Sequence, residues 1–397
     1  MGVAALAERF GTPLLVIDLD VLDENIARVA AAARAFNVEV SYAGKAFLCV
    51  ALARYLHAAG IGIDVCSLGE YETARLAGVP ASAITLHGCA KNDAELSFVT
   101  SGAVGRSVVD GIEELQRTLD RATQLAPAPL LLRLNSGVEA PTHLAVRTAG
   151  EASKFGIAPE DESRALALLI DAAKRVRFLG LHGHLGSQVD EPNAFVAHGS
   201  ALMEAAVRFT AAGMRVSTIV LGGGFVTDPR PMLASCIAAM NALATRSGLA
   251  LPSIGIEPGR AIVASAGTTY VRIHAIKTNK ERRIAICDGG LFENPRPALY
   301  GAYHRAHSIE QPNAELLPTL LCGKSCESDE LGMMQLPATL RVGELVAIEQ
   351  TGAYTASMAS NYNRFTRPPV VAVRGRDATL WMRAETTQEV LARDVDA

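Results

Sequence analysis

A single lysine stands at the junction of two predicted elements. Residues 38–43 form a short apolar run typical of a buried strand, Lys45 follows it, and residues 47–59 carry a helical apolar pattern. In parallel α/β folds, the carboxyl ends of the strands carry the chemistry. A desolvated lysine there has a lowered pKa and can act as an amine nucleophile or form a Schiff base. The structural alternative is a side chain that extends from the strand end into solvent.

Glycines near two later strands suggest a phosphate site. Residues 222–224 are all glycine, and a backbone without Cβ atoms can approach a phosphate and direct N–H groups at it. Gly259 and Arg260 can supply a further amide and a charge, and Ser187 can supply a hydroxyl. A tight turn explains the three glycines equally well.

Two further residues extend this set. Glu257 precedes Pro258 on extended backbone, where its carboxylate could keep a cationic ring nitrogen protonated. His184 could stack on a planar ring. Each alone is also consistent with a hydrogen-bonded polar residue at a barrel rim. Together, an amine, an anion site, a carboxylate and a flat imidazole are what pyridoxal 5'-phosphate requires, so we expect that cofactor.

Alternating strands and helices would position these residues. Eight strand-like runs, each but the last followed by a helical stretch, predict a parallel (β/α)8 barrel of the TIM type. A doubly wound open sheet is the competing architecture. The predicted strands are 38–43, 61–65, 83–87, 104–109, 129–134, 178–184, 216–221 and 253–257.

The pattern changes after residue 267, where few long helices separate the strand-like runs. These runs are 271–277, 283–288, 316–322, 344–348 and 369–373. This predicts a second, mostly β domain. The strand-like residues 13–18 precede the barrel and lack a helical partner, so we expect them to join that domain. The predicted domains are a cofactor-binding barrel over 20–267 and a β-rich domain made of 1–19 and 268–397.

Composition narrows the function classes. The 397 residues are 49% hydrophobic and 20% charged, as in ordinary globular proteins, and the net charge of −4 argues against a nucleic-acid surface. No apolar run approaches the roughly 20 residues of a membrane span, and the N-terminus does not resemble a signal peptide. The seven scattered cysteines lack metal-site spacing, so we expect thiols in a cytoplasmic protein and no metal.

Seven motifs in order carry a family resemblance. They lie at 42–46, 182–188, 222–225, 257–260, 296–300, 326–328 and 352–363. With them the chain resembles the fold-type III pyridoxal-phosphate decarboxylases, and most of all the diaminopimelate decarboxylases, over nearly its whole length. The resemblance implies a barrel with a β domain and a homodimer whose active sites are shared between subunits.

The resemblance also implies roles for cofactor-binding residues. Lys45 would hold the cofactor as a Schiff base, His184 would stack on its ring, and Glu257 would pair with its pyridine nitrogen. The remaining contacts with the cofactor or its phosphate would come from Asp64, His87, Ser187, Gly223, Gly224, Gly259, Arg260 and Tyr354.

A second group of residues would handle the substrate. Arg296 and Tyr300 would bind a carboxylate, with the arginine bidentate, and Arg260 and Tyr354 would also contact the substrate. The partner subunit would contribute two more residues. These are Cys326, the implied proton donor, and Glu327, which would meet a distal ammonium.

The implied reaction is decarboxylation of an amino acid, with meso-2,6-diaminopimelate giving L-lysine and carbon dioxide. The sequence differs from the usual motifs of the family at several positions, so the identity of the substrate amino acid is not fixed by the resemblance. These positions are Gly44, Phe47, 135–143, 225–228 and 288–295. One alternative is a related decarboxylase acting on another basic, secondary-metabolism or carrier-tethered amino acid. Another is a regulatory homologue without catalytic activity.

Overall fold

A computed structural model describes residues 2–138 and 153–395 of the chain. Residues 139–143, which belong to one of the departures named above, lie outside this part. Within the described residues, no helix combines the length and apolar character needed to cross a membrane.

The chain divides into two compact units, residues 26–261 and residues 1–25 with 262–397. The first unit is a closed barrel of parallel strands, in which the last strand pairs with the first. With β1 (Leu14–Asp18) in the other unit, the barrel strands are β2 (Val38–Ala43), β3 (Gly62–Val65), β4 (Ile84–Leu86), β5 (Arg106–Val109), β6 (Ala128–Arg133), β7 (Val176–His182), β8 (Thr218–Val220) and β9 (Ser253–Ile256).

Helices alternate with the barrel strands. After α1 (Val3–Phe10) and α2 (Leu19–Phe36), they are α3 (Val50–Ala58), α4 (Leu68–Leu76), α5 (Asp93–Thr100), α6 (Ile112–Arg121), α7 (Glu162–Asp171), α8 (Pro192–Ala211) and α9 (Arg230–Arg246). Side-chain caps begin several of them: Ser67 accepts a hydrogen bond from the Glu70 amide at 3.2 Å, and Asn92 forms a capping box with Glu95. The predicted (β/α)8 barrel is confirmed.

The second unit is built on a mixed sheet. After α10 (Arg260–Val263) its elements are β10 (Gly267–Asn279), β11 (Arg282–Cys287), α11 (Arg296–Tyr300), β12 (Ala306–Ser308), β13 (Leu316–Cys322), β14 (Glu330–Pro337), β15 (Leu345–Ile348), β16 (Val370–Arg374), β17 (Asp377–Met382) and α12 (Thr387–Leu391). The strand order is β14-β13-β11-β10-β1-β16-β17, and β15 pairs with β10 and β12. Strand β1 pairs antiparallel with β10 and parallel with β16. The N-terminal strand therefore joins the β-rich part, as predicted.

Candidate active site

Lys45 follows the carboxyl end of β2. It lies in a single 3-10 turn, Gly44–Ala46, whose two outer residues are buried. The side chain of Lys45 itself is exposed, as in the alternative in which it extends from the strand end into solvent. The reason is local, because the turn buries its flanking residues and leaves the amine accessible. A primary amine at a strand end of a barrel can react with an aldehyde that reaches it.

Backbone from two other strand ends packs against this turn. A Cβ atom on Gly44 would lie 2.6 Å from the carbonyl oxygen of Asp64, which belongs to β3. A Cβ on Gly259, just after β9, would lie 2.9 Å from the Cβ of Ala46. Both distances are too short for a side chain. The two glycines therefore allow the Lys45 turn to pack closely against the ends of β3 and β9.

Glu257 directly follows β9, and its carboxylate lies between two imidazoles. Oε1 is 3.2 Å from Nε2 of His87, and Oε2 is 3.0 Å from Nε2 of His182. Burial alone would raise the pKa of Glu257, but the charge attraction and hydrogen bonds of the two histidines hold it well below its usual value. This carboxylate is therefore ionised at neutral pH.

The two histidines differ in charge. Burial opposes the charged form of His87, but the attraction of Glu257 and contacts with Asp64 raise the pKa of His87 to about 9. For His182, burial dominates and lowers the pKa to about 4, although Glu257 opposes the shift. At neutral pH the site thus holds a charged His87 and a neutral His182 around one carboxylate.

Asp64 borders the same cluster. One of its oxygens accepts a hydrogen bond from the Ser41 hydroxyl at 2.5 Å and lies 3.8 Å from Nε2 of His87. Burial and then the negative charge of Glu257 raise the pKa of Asp64, while His87 opposes the shift. The structure thus places Asp64 and His87 next to Glu257 within the barrel.

His184 is oriented by the glycine run that follows β8. The amide of Gly223 donates a hydrogen bond to Nδ1 of His184 at 3.0 Å. Burial first, and then the positive charges of Lys45 and Arg133, lower the pKa of His184 well below its usual value. The ring is therefore neutral, and Nδ1 as acceptor implies that Nε2 carries the proton. A neutral ring can stack on a cationic aromatic ring without charge repulsion.

The glycine run is closely packed. A Cβ on Gly223 would lie 2.4 Å from the carbonyl oxygen of Glu257, and one on Gly224 would lie 2.8 Å from that of Gly186. These contacts bring together the ends of β7, β8 and β9. They also place Ser187, which is half-buried, beside Gly224. The Gly223 amide already donates its hydrogen bond to His184, so Gly223 would affect a bound cofactor through the His184 ring.

Arg260 is half-buried at the first position of α10. It follows directly on Gly259, which packs against the Lys45 turn. All residues predicted to bind the cofactor belong to the barrel unit, except Tyr354, which belongs to the second unit. Those gathered at the carboxyl ends of the barrel strands are Lys45, Asp64, His87, His184, Ser187, Gly223, Gly224, Glu257, Gly259 and Arg260.

The second unit brings three of the predicted substrate residues together. Arg296 begins α11 and is 4% exposed. Its guanidinium carbon lies 5.5 Å from the ring centroids of both Tyr300 and Tyr354, a cation–π geometry that orients the guanidinium plane. Tyr354 has a φ of 61°, a left-handed conformation that is unusual for an aromatic residue. Such strain is typical of functional sites.

Cys326 and Glu327 lie on a loop between β13 and β14, and both are exposed. The amide of Cys326 donates to the side-chain oxygen of Asn363 at 2.9 Å. The Tyr362 hydroxyl donates to the Glu327 carboxylate at 2.6 Å. The thiol is thus accessible rather than a buried core thiol, and the neighbouring carboxylate is oriented by a tyrosine.

Two contributors near Glu257 and His184 were not assigned from sequence. His182 contacts Glu257, and the charge of Arg133, the last residue of β6, acts on His184. Arg133 itself pairs with Asp110 at 3.2 Å. Both residues lie at the ends of predicted strands, which could have marked them as site residues. That position does not predict which side chains they contact.

A family model described as "Pyridoxal-dependent decarboxylase, pyridoxal binding domain" matches residues 22–264. The chain belongs to the pyridoxal-dependent decarboxylases. It is 37% identical to the diaminopimelate decarboxylase of Actinosynnema pretiosum subsp. auranticum, over 99% of this chain and 92% of that protein. As a member of the family it is a pyridoxal-phosphate-dependent carboxy-lyase, so the predicted cofactor and enzyme class are confirmed.

Solved structures of other members support the relationship. A diaminopimelate decarboxylase from M. jannaschii in complex with L-lysine has a TM-score of 0.90 and 30% identity, covering 99% of this chain and 94% of that one. A lysine/ornithine decarboxylase from Vibrio vulnificus complexed with putrescine has a TM-score of 0.79 and 27% identity, covering 94% of this chain and 97% of that one.

The side chains of the barrel unit fit the cofactor of this family. An accessible amine on Lys45, an ionised buried carboxylate on Glu257 and a neutral His184 supply an imine partner, a partner for a protonated pyridine and a stacking surface. Within the part of the chain that the structure describes, the positive charges of His87 and Arg133 also act on the Glu257 carboxylate.

Proposed function

We propose that this decarboxylase acts on meso-2,6-diaminopimelate and releases L-lysine and carbon dioxide. The observation that carries the proposal is the pair of exposed neighbours Cys326 and Glu327, with the Glu327 carboxylate oriented by Tyr362. A carboxylate on this loop suits a substrate with a charged group at its far end. Full-length similarity to proteins named diaminopimelate decarboxylase supports the same substrate.

The bound cofactor supplies an electron sink for the charge left at Cα when carbon dioxide departs. The barrel residues make that possible. Lys45 would provide the amine that attaches the cofactor, and Glu257 would keep its pyridine nitrogen protonated. His184 would stack on the ring. Phosphate contacts are proposed for Ser187, Gly224, Gly259, Arg260 and Tyr354, with Gly223 acting through His184 and with Asp64 and His87 tuning the carboxylate.

On the substrate side, Arg296 would bind a carboxylate with two parallel hydrogen bonds, assisted by Tyr300. Cys326 would return a proton to Cα, and Glu327 would bind the distal ammonium. We propose that these last two residues act in the active site of the partner subunit of a homodimer. A cytoplasmic location is also proposed, since all seven cysteines are free thiols.

A substrate panel tests the proposal. Purified protein loaded with pyridoxal phosphate is assayed for carbon-dioxide release from meso-diaminopimelate, L-lysine, L-ornithine and L-arginine. Release from meso-diaminopimelate alone supports it. Release only from lysine or ornithine would favour the second candidate, which rests on the likeness to the lysine/ornithine decarboxylase. No release from any of them, together with no visible cofactor band, would favour a regulatory homologue.

Subunit sharing has its own test. Lys45→Ala and Cys326→Ala should each be inactive. Mixing them under subunit exchange should restore part of the activity, because every mixed dimer contains one intact site. Size-exclusion chromatography with light scattering verifies the dimer, and differently tagged chains verify the exchange. Proven exchange without recovered activity contradicts a shared site.

A further inference from the structure

Asp329 links two loops of the second unit that carry proposed substrate residues. One loop, residues 289–292, leads from β11 to Arg296. The other, residues 323–329, carries Cys326 and Glu327. Asp329 is only 7% exposed and has a φ of 47°, a left-handed conformation that aspartate adopts more readily than most residues because its side chain can hydrogen-bond locally.

The two carboxylate oxygens of Asp329 are divided between the loops. Oδ1 accepts a hydrogen bond from the amide of Leu291 at 2.6 Å. Oδ2 accepts one from the amide of Ser325 at 2.9 Å and another from the Ser325 hydroxyl. A carboxylate can accept all three of these bonds, because it has two oxygens and no proton to donate.

Two glycines shape the space that holds this carboxylate. A Cβ on Gly290 would lie 2.3 Å from Oδ2 of Asp329, and a Cβ on Gly323 would lie 2.2 Å from the same atom. Backbone bonds close the arrangement, since the Lys324 amide donates to the carbonyl of Gly289 at 3.2 Å. The loops are therefore held together around one buried side chain.

We propose that Asp329 is a positioning residue, which holds the loop of Cys326 and Glu327 at a fixed distance from the segment that ends in Arg296. This inference rests on the proposed function, because it takes the roles of those three residues from it. If Cys326 and Glu327 act in the partner's site while Arg296 acts in its own, Asp329 mechanically links one element of each active site.

Asp329→Asn is the direct test. The amide keeps the shape but presents N–H donors to one of the two loops, where the native oxygen accepts hydrogen bonds. We expect kcat to fall and KM for meso-diaminopimelate to rise, each about tenfold or more, since small misplacements of positioned groups cost this much or more. The variant should still be folded at the assay temperature, and the absorbance band of its bound cofactor should stay close to that of the wild type. Asp377→Asn, an exposed aspartate at the start of β17, is the matched control.

Gly323→Ala is an independent variant that leaves Asp329 in place. Its Cβ would lie 2.2 Å from Oδ2 of Asp329 and 2.4 Å from Cα of Gly290, so it would push the carboxylate and the two loops apart. The same rise in KM and fall in kcat is expected. Wild-type kinetics in Asp329→Asn would overturn the proposal, and so would a loss of activity matched by loss of the cofactor band or of stability. If the wild type prefers another amino acid of the panel, the proposed function fails separately, and the same comparison with that amino acid still decides the role of Asp329.

Mixed dimers can separate the effect of Asp329 on the loop of Cys326 and Glu327 from its effect on the segment that ends in Arg296. With Lys45→Ala in one chain, the single working site uses Arg296 of the other chain and Cys326 of the Lys45→Ala chain. Asp329→Asn placed in the Lys45→Ala chain, which supplies both Cys326 and Glu327, should lower kcat and raise KM. Placed in the other chain, which supplies Arg296, it should mainly raise KM. An effect confined to one chain would overturn the linkage of both loops.

Discussion

Oε2 of Glu257 lies 3.0 Å from Nε2 of His182, and both side chains are buried. The pKa of His182 is lowered to about 4, so this imidazole is a neutral hydrogen-bond donor. The positive charge next to Glu257 comes instead from His87, whose pKa is raised to about 9. A neutral donor on one oxygen and a cation near the other keep the carboxylate ionised inside the barrel.

Glu257→Gln should therefore keep the fold and lower kcat strongly. The amide cannot hold a pyridine nitrogen protonated, and we expect a loss of about 100-fold or more, comparable to the removal of other electrostatic groups in active sites. The value of kcat is measured from the initial rate of carbon-dioxide release at saturating substrate. Glu39→Gln is the control, because Glu39 is exposed on β2 and pairs with Arg106. A Glu257→Gln enzyme with more than half of wild-type kcat would contradict the role.

The same cluster could be mistaken for a metal site. Ligand atoms of His87, His182 and Glu257 all lie within 4.8 Å of one another. We expect activity to survive dialysis against a chelator when pyridoxal phosphate is resupplied, since the charged His87 would have to lose its proton to bind a metal. Metal analysis of the purified protein accompanies the assay. Activity that is lost with the chelator and restored by a divalent cation would overturn this expectation.

The barrel was predictable because strands buried on both faces read as continuous apolar runs. All four residues from Leu130 to Arg133 of β6, for example, are buried or half-buried. Three strands of the second unit, β12, β14 and β17, were not predicted. In β14 burial alternates irregularly, and the segment contains glycine, glutamate and a terminal proline, which are residue types depleted in strands. The proposed domain limit at residue 267 remains a prediction.

Some residues of the candidate site could be predicted from the sequence, but the contacts between them could not. Lys45, the glycine run and Glu257 were identified because each stands at a strand end. Their neighbours were not, because contacts such as that between Asp329 and Leu291 join residues that no local pattern relates. The departure at Gly44 now has a physical reason, since a Cβ there would lie 2.6 Å from the carbonyl oxygen of Asp64.

Gly223→Ala tests the packing of the glycine run. The new Cβ would lie 2.4 Å from the carbonyl oxygen of Glu257, so either β9 or the run must move, and the hydrogen bond to His184 would be disturbed. We expect affinity for pyridoxal phosphate to fall at least tenfold, equivalent to about 1.4 kcal/mol. Gly69→Ala in α4 is the control, because the nearest atom to its Cβ is 3.9 Å away. Titration of both apoenzymes with the cofactor would show equal affinities if the packing argument is wrong.

The buried carboxyl group of Glu293 should make the free energy of unfolding depend on pH. Its side chain is 3% exposed, and burial, with smaller effects from the charges of Asp329 and Asp288, raises its pKa to about 8 from an ordinary value of 4.5. The folded protein therefore holds this proton over a range where the unfolded chain has lost it. The resulting stabilisation is complete below the unfolded pKa and is lost as pH rises through the folded pKa.

The free energy of unfolding should consequently fall between about pH 5 and about pH 8, by up to about 1.4 kcal/mol per pH unit from this group. Glu293→Gln carries no charge at any pH, so it should flatten this slope and be more stable than the wild type above about pH 8. Urea unfolding across that range measures both proteins, with Glu281→Gln in the exposed turn between β10 and β11 as the control. Equal slopes for wild type and Glu293→Gln would show that the buried carboxyl does not govern this pH dependence.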